Sequence, residues 1–395
     1  MISHPVFLVG FLILIEISIL TISGHKHFKK YFDFLPSVFW IYFLPMLAST
    51  FGLIDSKSAI LSKISTTLLP MSLFILLMTV NMKAILKLGR PALIMFFAGS
   101  LGIILGAPIV FLIFKNLVGV EMWRGFACLA GSWTGGSANM IAVKEAMAAP
   151  DSVFLPMVIV DTVVPYVWMG ALVALVGLQG AFDKWNKADV KILNELRGGP
   201  PPPRFLAGRA PSAKLSFQLD KTALILALAV LGGAAASTLA NRLPEIKNVI
   251  STYAWTIILV SFFGIALSFT PARKLEEYNS SRIGYFILYF VLTSIGARAN
   301  LSSLNSTFIL IGAGFLLVFI HAGFILVTAR LIKAPLFLAA VASQANIGGV
   351  ASAPIVAEIY QPGLASVGLL LAILGNIIGT YCGILAGQLC FWVVR

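Results

Sequence analysis

Gly131-Ser132-Trp133-Thr134-Gly135-Gly136-Ser137-Ala138-Asn139 lies at the middle of an apolar block that runs from 122 to 147. A second stretch, Ala342-Ser343-Gln344-Ala345-Asn346-Ile347-Gly348-Gly349, lies at the middle of another block, 335–358. Paired glycines beside Ser, Thr, Asn and Gln make a poor helix interior. Glycine loosens the backbone, and short polar side chains compete for its hydrogen bonds. Each stretch is therefore expected to break a helix at membrane depth. Unwound backbone is tolerated there only where protein covers it or where it lines a wet cavity. Two such breaks at matching positions point to a transporter's site near the bilayer midplane. Close packing through small residues would explain the glycines alone. It would not explain Trp-Thr before one pair and Gln-Ala-Asn before the other.

The two stretches also align with each other. A shift of 213 positions lays Gly135–Glu145 on Gly348–Glu358, with both glycines, an alanine, a valine and the glutamate identical. Such self-similarity indicates an internal duplication. Working outward, the apolar blocks run 5–22, 36–54, 64–81, 91–114, 122–147, 152–178, 222–241, 249–269, 283–297, 306–331, 335–358 and 363–394. Most are near twenty residues, the length that spans a bilayer. The chain of 395 residues is 59% hydrophobic and only 11% charged, against about 25% charged in a soluble domain. Disorder, a disulfide scaffold and an ordinary soluble enzyme are excluded. The first block has no basic segment before it and reads as a retained span.

Six blocks lie on either side of a polar stretch, Gln179–Asp220, which contains Gly198-Gly199-Pro200-Pro201-Pro202-Pro203. Four prolines force an extended linker there. The expected organisation is a first transmembrane repeat over 1–178, a Pro-rich linker over 179–220 and a second repeat over 221–395. If the blocks 122–147 and 335–358 re-enter, or break in an equivalent way, the halves become inverted. Then Lys26, Lys29, Lys30, Lys83, Lys87, Arg90, the linker, Arg273, Lys274, Arg282, Arg330 and Lys333 share the cytoplasmic side, as the positive-inside rule favours. The net charge of +13 has the same explanation. No basic stripe interleaved with aromatics exists, so nucleic acid is not a partner. Cys128, Cys382 and Cys390 lie inside apolar blocks and read as packing residues.

Asp161 stands ten residues into block 152–178, in Ile159-Val160-Asp161-Thr162. A carboxylate at that depth costs about 3 kcal/mol to insert, so its default reading is functional, as cation ligand or proton carrier. The matching block of the second half offers neutral Asn376 and Thr380 instead. His321 reads as a hydrogen-bonded packing residue. Glu16 reads as reaching an interface, Glu145 and Glu358 as helix-end groups, and Arg298 as an interfacial cation that attracts an anion or snorkels. A phosphate-binding Gly-x-x-x-x-Gly-Lys loop is absent, as are metal-ligand spacings and a nucleophile–base pair. No enzymatic activity is expected.

At Ser132-Trp133-Thr134-Gly135-Gly136-Ser137-Ala138-Asn139, at Ser343–Pro354 and at Gly375-Asn376-Ile377-Ile378-Gly379-Thr380-Tyr381, the chain resembles the YjcL-like family (domain of unknown function 819). More remotely it is similar to the superfamily of cation/proton antiporters and anion transporters, which includes bile-acid sodium symporters. The resemblance implies inverted repeats, a core with two broken segments and a separate scaffold through which a homodimer forms. The adjacent Asn-Asp or Asp-Asp pair of the antiporters is missing, because Thr162 follows Asp161. That departure favours sodium-coupled uptake over proton antiport. The expectation is an all-α polytopic protein of the bacterial inner (plasma) membrane. It moves a small organic anion with Na+ or H+ by alternating access; a cation/proton antiporter is the alternative. Thr134, Ser137, Asn139, Ser343, Gln344 and Asn346 are the expected ligands, and Gly135, Gly136, Gly348 and Gly349 the breaks. Asp161 and Thr162 complete the set. Na+, the only cofactor considered, would be held by Asp161, Asn139 and Gln344.

Overall fold

The computed structural model describes residues 2–25, 27–28, 31–32, 37–81, 85, 88–189, 218–245, 251–298 and 307–394. Among them there is no strand, only an isolated bridge between Ile2 and Ile54. The helices of the first half are α1 (Pro5–Ser23), α2 (Ser37–Thr50), α3 (Ala59–Met78), α4 (Arg90–Val118), α5 (Trp123–Gly135), α6 (Ser137–Ala146), α7 (Asp151–Ala174) and α8 (Gln179–Asn186). Those of the second half are α9 (Leu219–Ala240), α10 (Thr252–Ser268), α11 (Ser280–Arg298), α12 (Thr307–Ile332), α13 (Leu336–Ile347), α14 (Gly349–Tyr360) and α15 (Ala365–Val394). Every apolar block of the sequence holds a helix, and the two blocks with central Gly-Gly pairs hold two each.

Among the described residues eight helices are long and apolar enough to cross a membrane, or nine if α10 and the turn of 3-10 helix at Pro271–Tyr278, bent by 93°, count as one. The protein is an all-α, multi-pass membrane protein. Each arm at a break is too short to span alone: thirteen residues of α5 rise about 20 Å against a hydrocarbon core of about 30 Å.

The helices form two compact units, and each unit draws on both halves of the chain. Unit 1 comprises Met1–Val80, Lys144–Thr162 and Gln218–Leu310. In it α3 packs on α9, α10 and α11, α2 packs on α11, and α1 lies on α2 and α11. Leu8 and Leu12 of α1 join Ala48, Ile54, Leu61, Ile64, Phe290 and Ala297 in one apolar cluster. Close approach depends on glycine: a Cβ on Gly296 would run into the backbone of Tyr42, so α11 lies directly on α2.

Unit 2 comprises Asn81–Val143, Val163–Phe217 and Ile311–Arg395. Its longest helix, α15, packs against α4, α5, α13 and α14. Gly375, Gly379 and Gly383 recur every fourth residue and put one glycine seam of α15 on α5. A Cβ on Gly383 would come within 2.6 Å of the Val143 side chain and 2.8 Å of the Gly131 Cα. Gly99, Gly102 and Gly106 of α4 make the same kind of seam against α12.

The polar stretch that opens at Gln179 begins as a helix. Asn186 of α8 is buried and donates to the carbonyls of Ala329 (3.0 Å) and Ala334 (2.7 Å). Asp183 accepts from the Leu336 N–H at 2.7 Å and so caps the start of α13. The proline run at 200–203 lies outside the described residues. So do Lys26, Lys29, Lys30, Lys83 and Lys87, on which the sequence-based orientation leans.

Candidate functional site

The first break is made by one glycine of its pair. Gly136 adopts φ 81° and ψ 179°, a region open in practice to glycine alone, and α6 starts at the next residue. Gly135 is still helical and serves packing: a Cβ there would strike the Gly375 carbonyl and the Asn139 amide. The second break has the same division. Gly349, which aligns with Gly136 under the 213-residue shift, has φ 60° with open space around it. Gly348 has φ −109° and lies beneath the side chains of Gln344 and Ser352. Gly136→Ala is accordingly expected to cost about 1–3 kcal/mol through backbone strain alone, since the nearest atom to its Cβ would stand at an ordinary 3.6 Å. Thermal unfolding in detergent measures this. A Gly136→Ala variant that melts with wild type would refute the strain.

The residues before each break are buried, whereas Gly136–Ala138 and Gly348–Val350 are half-exposed. At the first break Asn139 makes three hydrogen bonds. Its Nδ2 donates to the carbonyls of Gly135 (2.6 Å) and Asn376 (3.2 Å), and its Oδ1 accepts from the Thr380 hydroxyl (2.5 Å). Asn139 therefore staples the break to α15 and has one lone pair to spare. Thr134 Oγ1 and Trp133 Nε1 are buried with no hydrogen-bond partner among the described residues. Ser137, the first residue of α6, is half-exposed.

At the second break Gln344 and Asn346 are wholly buried. Gln344 Nε2 donates across the break to Ser352 Oγ at 2.7 Å, and its Oε1 has no partner among the described residues. Asn346 Nδ2 donates to Ser100 Oγ at 3.0 Å. That hydroxyl donates to the Phe96 carbonyl, so Asn346 must present its NH2 there. Its Oδ1 is thus the orphaned atom. The Ser343 hydroxyl is held in a chain of hydrogen bonds. His321 lies 2.9 Å from the Gly99 carbonyl through Nδ1 and 2.9 Å from Ser343 Oγ through Nε2. The carbonyl can only accept, so Nδ1 carries the proton and Nε2 accepts the Ser343 hydroxyl. Trp168 Nε1 donates to the same serine at 2.9 Å. His321 is the hydrogen-bonded packing residue that its lone position in an apolar block suggested.

Both breaks belong to unit 2, where α5 packs against α13 and α14. Asp161 and Thr162 belong to unit 1. Asp161 is half-buried, and the Thr162 hydroxyl donates to the Val158 carbonyl at 2.8 Å.

The sequence reading understated a charged cluster in unit 1. Lys144, 4% exposed, stands 3.2 Å from Glu145 and 3.0 Å from Asp151. Arg298 reaches the same two carboxylates at 3.2 Å and 3.7 Å. Two cations and two anions thus neutralise one another at the α6–α7 corner, with the Lys144 ammonium 5.5 Å from the centre of the Phe154 ring. Arg298 is occupied by carboxylates of the chain itself, which corrects its reading as a free interfacial cation. Glu145 is an ion-pair member, whereas Glu358 is exposed and accepts from the Gly363 N–H.

Residues 10–391 match the family described as "Protein of unknown function (DUF819)". The chain belongs to the DUF819 family. This DUF819 chain is also similar to the protein named "Uncharacterized membrane protein YjcL" of Bacillus subtilis (strain 168), with 22% identity over 363 residues and 86% of each chain covered. Both broken helices, the staple at Asn139 and the ion cluster lie within the DUF819 match. Ser100 and Trp168, which help to fix the second break, carried no signal in the sequence of this DUF819 protein, because a lone serine or tryptophan in an apolar block is common.

Proposed function

We propose that the protein is a secondary active transporter of a small organic anion, a carboxylate, coupled to Na+ or H+ by alternating access. One observation carries the reading: two helices break at matched glycines, and buried orphaned atoms stand beside both breaks. Thr134 Oγ1, Gln344 Oε1 and Asn346 Oδ1 are acceptors of the kind that ligate a cation. The N-termini of α6 and α14 begin at the breaks, and helix N-termini favour carboxylates. Asn139 serves the site as a brace for the break; Asp161, an intramembrane carboxylate of unit 1, is the charge whose loss should remove the ion dependence.

The packing supports a duplicated ancestry. Exchange α1, α2 and α3 for α9, α10 and α11, and every helix–helix pairing given above for unit 1 maps onto another, onto itself or, for α1 on α2, onto the packing of α9 on α10. In unit 2, the Asn139–Thr380 bond joins α6 to α15, and its counterpart, the bond from Tyr360 to the Leu172 carbonyl, joins α14 to α7.

Purified protein in liposomes should accumulate labelled mono- or dicarboxylates when an inward Na+ or proton gradient is imposed, and not without one. Asp161→Asn should lose the ion dependence. Exchange of Na+ for H+ with no carboxylate required would make the protein an antiporter instead. Carboxylate uptake indifferent to both gradients would refute the coupling.

A further inference from the structure

Helix α1 is buried along one stripe, Leu8, Leu12, Glu16 and Ile19, which repeats at helical spacing. Position 16 is thus a core position of unit 1 filled by a carboxylic acid. Its side chain is 0% exposed, and neither Oε1 nor Oε2 has a hydrogen-bond partner among the described residues. The expectation that Glu16 reaches an interface is therefore corrected. An apolar helix has no polar face to reveal which side turns inward.

The groups facing Glu16 come from the two helices on which α1 lies, α2 and α11. Tyr42 is the titratable residue of α2, and its ring packs on Phe154, 5.9 Å between centroids. On α11, Arg298 is held in the ion cluster and Arg282 is exposed. Tyr289 of α11 is within electrostatic range of Glu16. Tyr285 stands one turn below, 6.0 Å ring to ring, and is itself within range of Glu276. Glu276 accepts from the Ser281 N–H at 3.0 Å and from its hydroxyl. Ser281, Tyr285 and Tyr289 are spaced i, i+4, i+8 and so share one face of α11.

No Lys, Arg or His among the described residues pairs with Glu16. An ionised carboxylate without counter-charge or donor is the least favourable occupant of such a position, and the neutral acid the most favourable. We infer that Glu16 is a proton-binding site within the bilayer. Its carboxylate takes up one H+ to become the neutral acid and gives the same H+ back when it ionises. This inference stands apart from the carriage of carboxylates and does not rest on it.

Infrared difference spectra of the protein in liposomes, recorded over a pH series, test the assignment. Wild type should show the carbonyl band of a protonated carboxylic acid that fades as pH rises. Glu16→Gln keeps the shape, and Glu16→Leu continues the leucine stripe; both should lack the band. Superimposable wild-type and Glu16→Gln spectra at every pH would overturn the site. Should neither Glu16 variant fold, dicyclohexylcarbodiimide reads the same acid in wild type, as an adduct on Glu16 whose yield falls with rising pH. Absence of the adduct would overturn the inference.

Discussion

Gly375→Ala should leave unit 2 unable to close. The added methyl would drive into the Thr134 backbone carbonyl where α15 crosses the end of α5, with the Phe96 ring 3.4 Å away on another side. A backbone oxygen cannot rotate aside, so the two helices must separate, and the glycine seam that continues through Gly379 and Gly383 must open with them. Overpacking of a well-filled site costs about 1–3 kcal/mol and more where nothing can give; about 3 kcal/mol or greater is expected here. Folded yield in detergent and the midpoint of thermal unfolding measure it. Gly323→Ala is the control, because a Cβ there meets nothing within 4 Å and alanine favours a helix by about 0.5–1 kcal/mol over glycine. Equal stabilities for the two variants would contradict the packing described for α5 and α15.

Lys144→Met should destabilise by about 3–5 kcal/mol, because it leaves two carboxylates facing one guanidinium. The lysine is 4% exposed, so water cannot replace it. Arg298 is 20% exposed and its loss should cost less. The paired change Lys144→Met with Glu145→Gln restores neutrality and should recover most of the loss. That recovery separates charge imbalance from lost packing. Denaturant titrations in detergent at low and high salt give the measurement. A cost below about 1 kcal/mol, or one erased by salt, would place the cluster among solvated surface pairs.

Hydropathy alone located the helices, because a span must be apolar over some twenty residues whichever face it buries. The breaks were equally plain, since Gly135-Gly136 and Gly348-Gly349 oppose helix formation locally. Partnership was hidden. That Asn139 is spent on Gly135, Asn376 and Thr380 depends on α15, more than 200 residues away. Likewise Lys144, Glu145 and Asp151 are near neighbours in sequence, but Arg298, which completes their neutrality, is not. Nor does any local pattern report that each unit takes helices from both halves of the chain, or that Asp161 and the glycine breaks fall in different units. In a uniformly apolar helix such as α1, periodicity offers nothing to read, and Glu16 was misplaced for that reason.

The position of Arg298 has a bearing on how the protein is made. Asp151 leaves the ribosome 147 residues ahead of it (298 − 151), an interval of about 7–30 s at ordinary elongation rates of about 5–20 residues per second. Throughout that interval Glu145 and Asp151 have Lys144 alone to neutralise them, and α11, onto which their corner docks, has not been synthesised. The α6–α7 corner must therefore wait in the insertion machinery or at the lipid surface until the second half arrives. A chain stalled before residue 280 should leave this corner open to protease, and one extended through Arg298 should protect it.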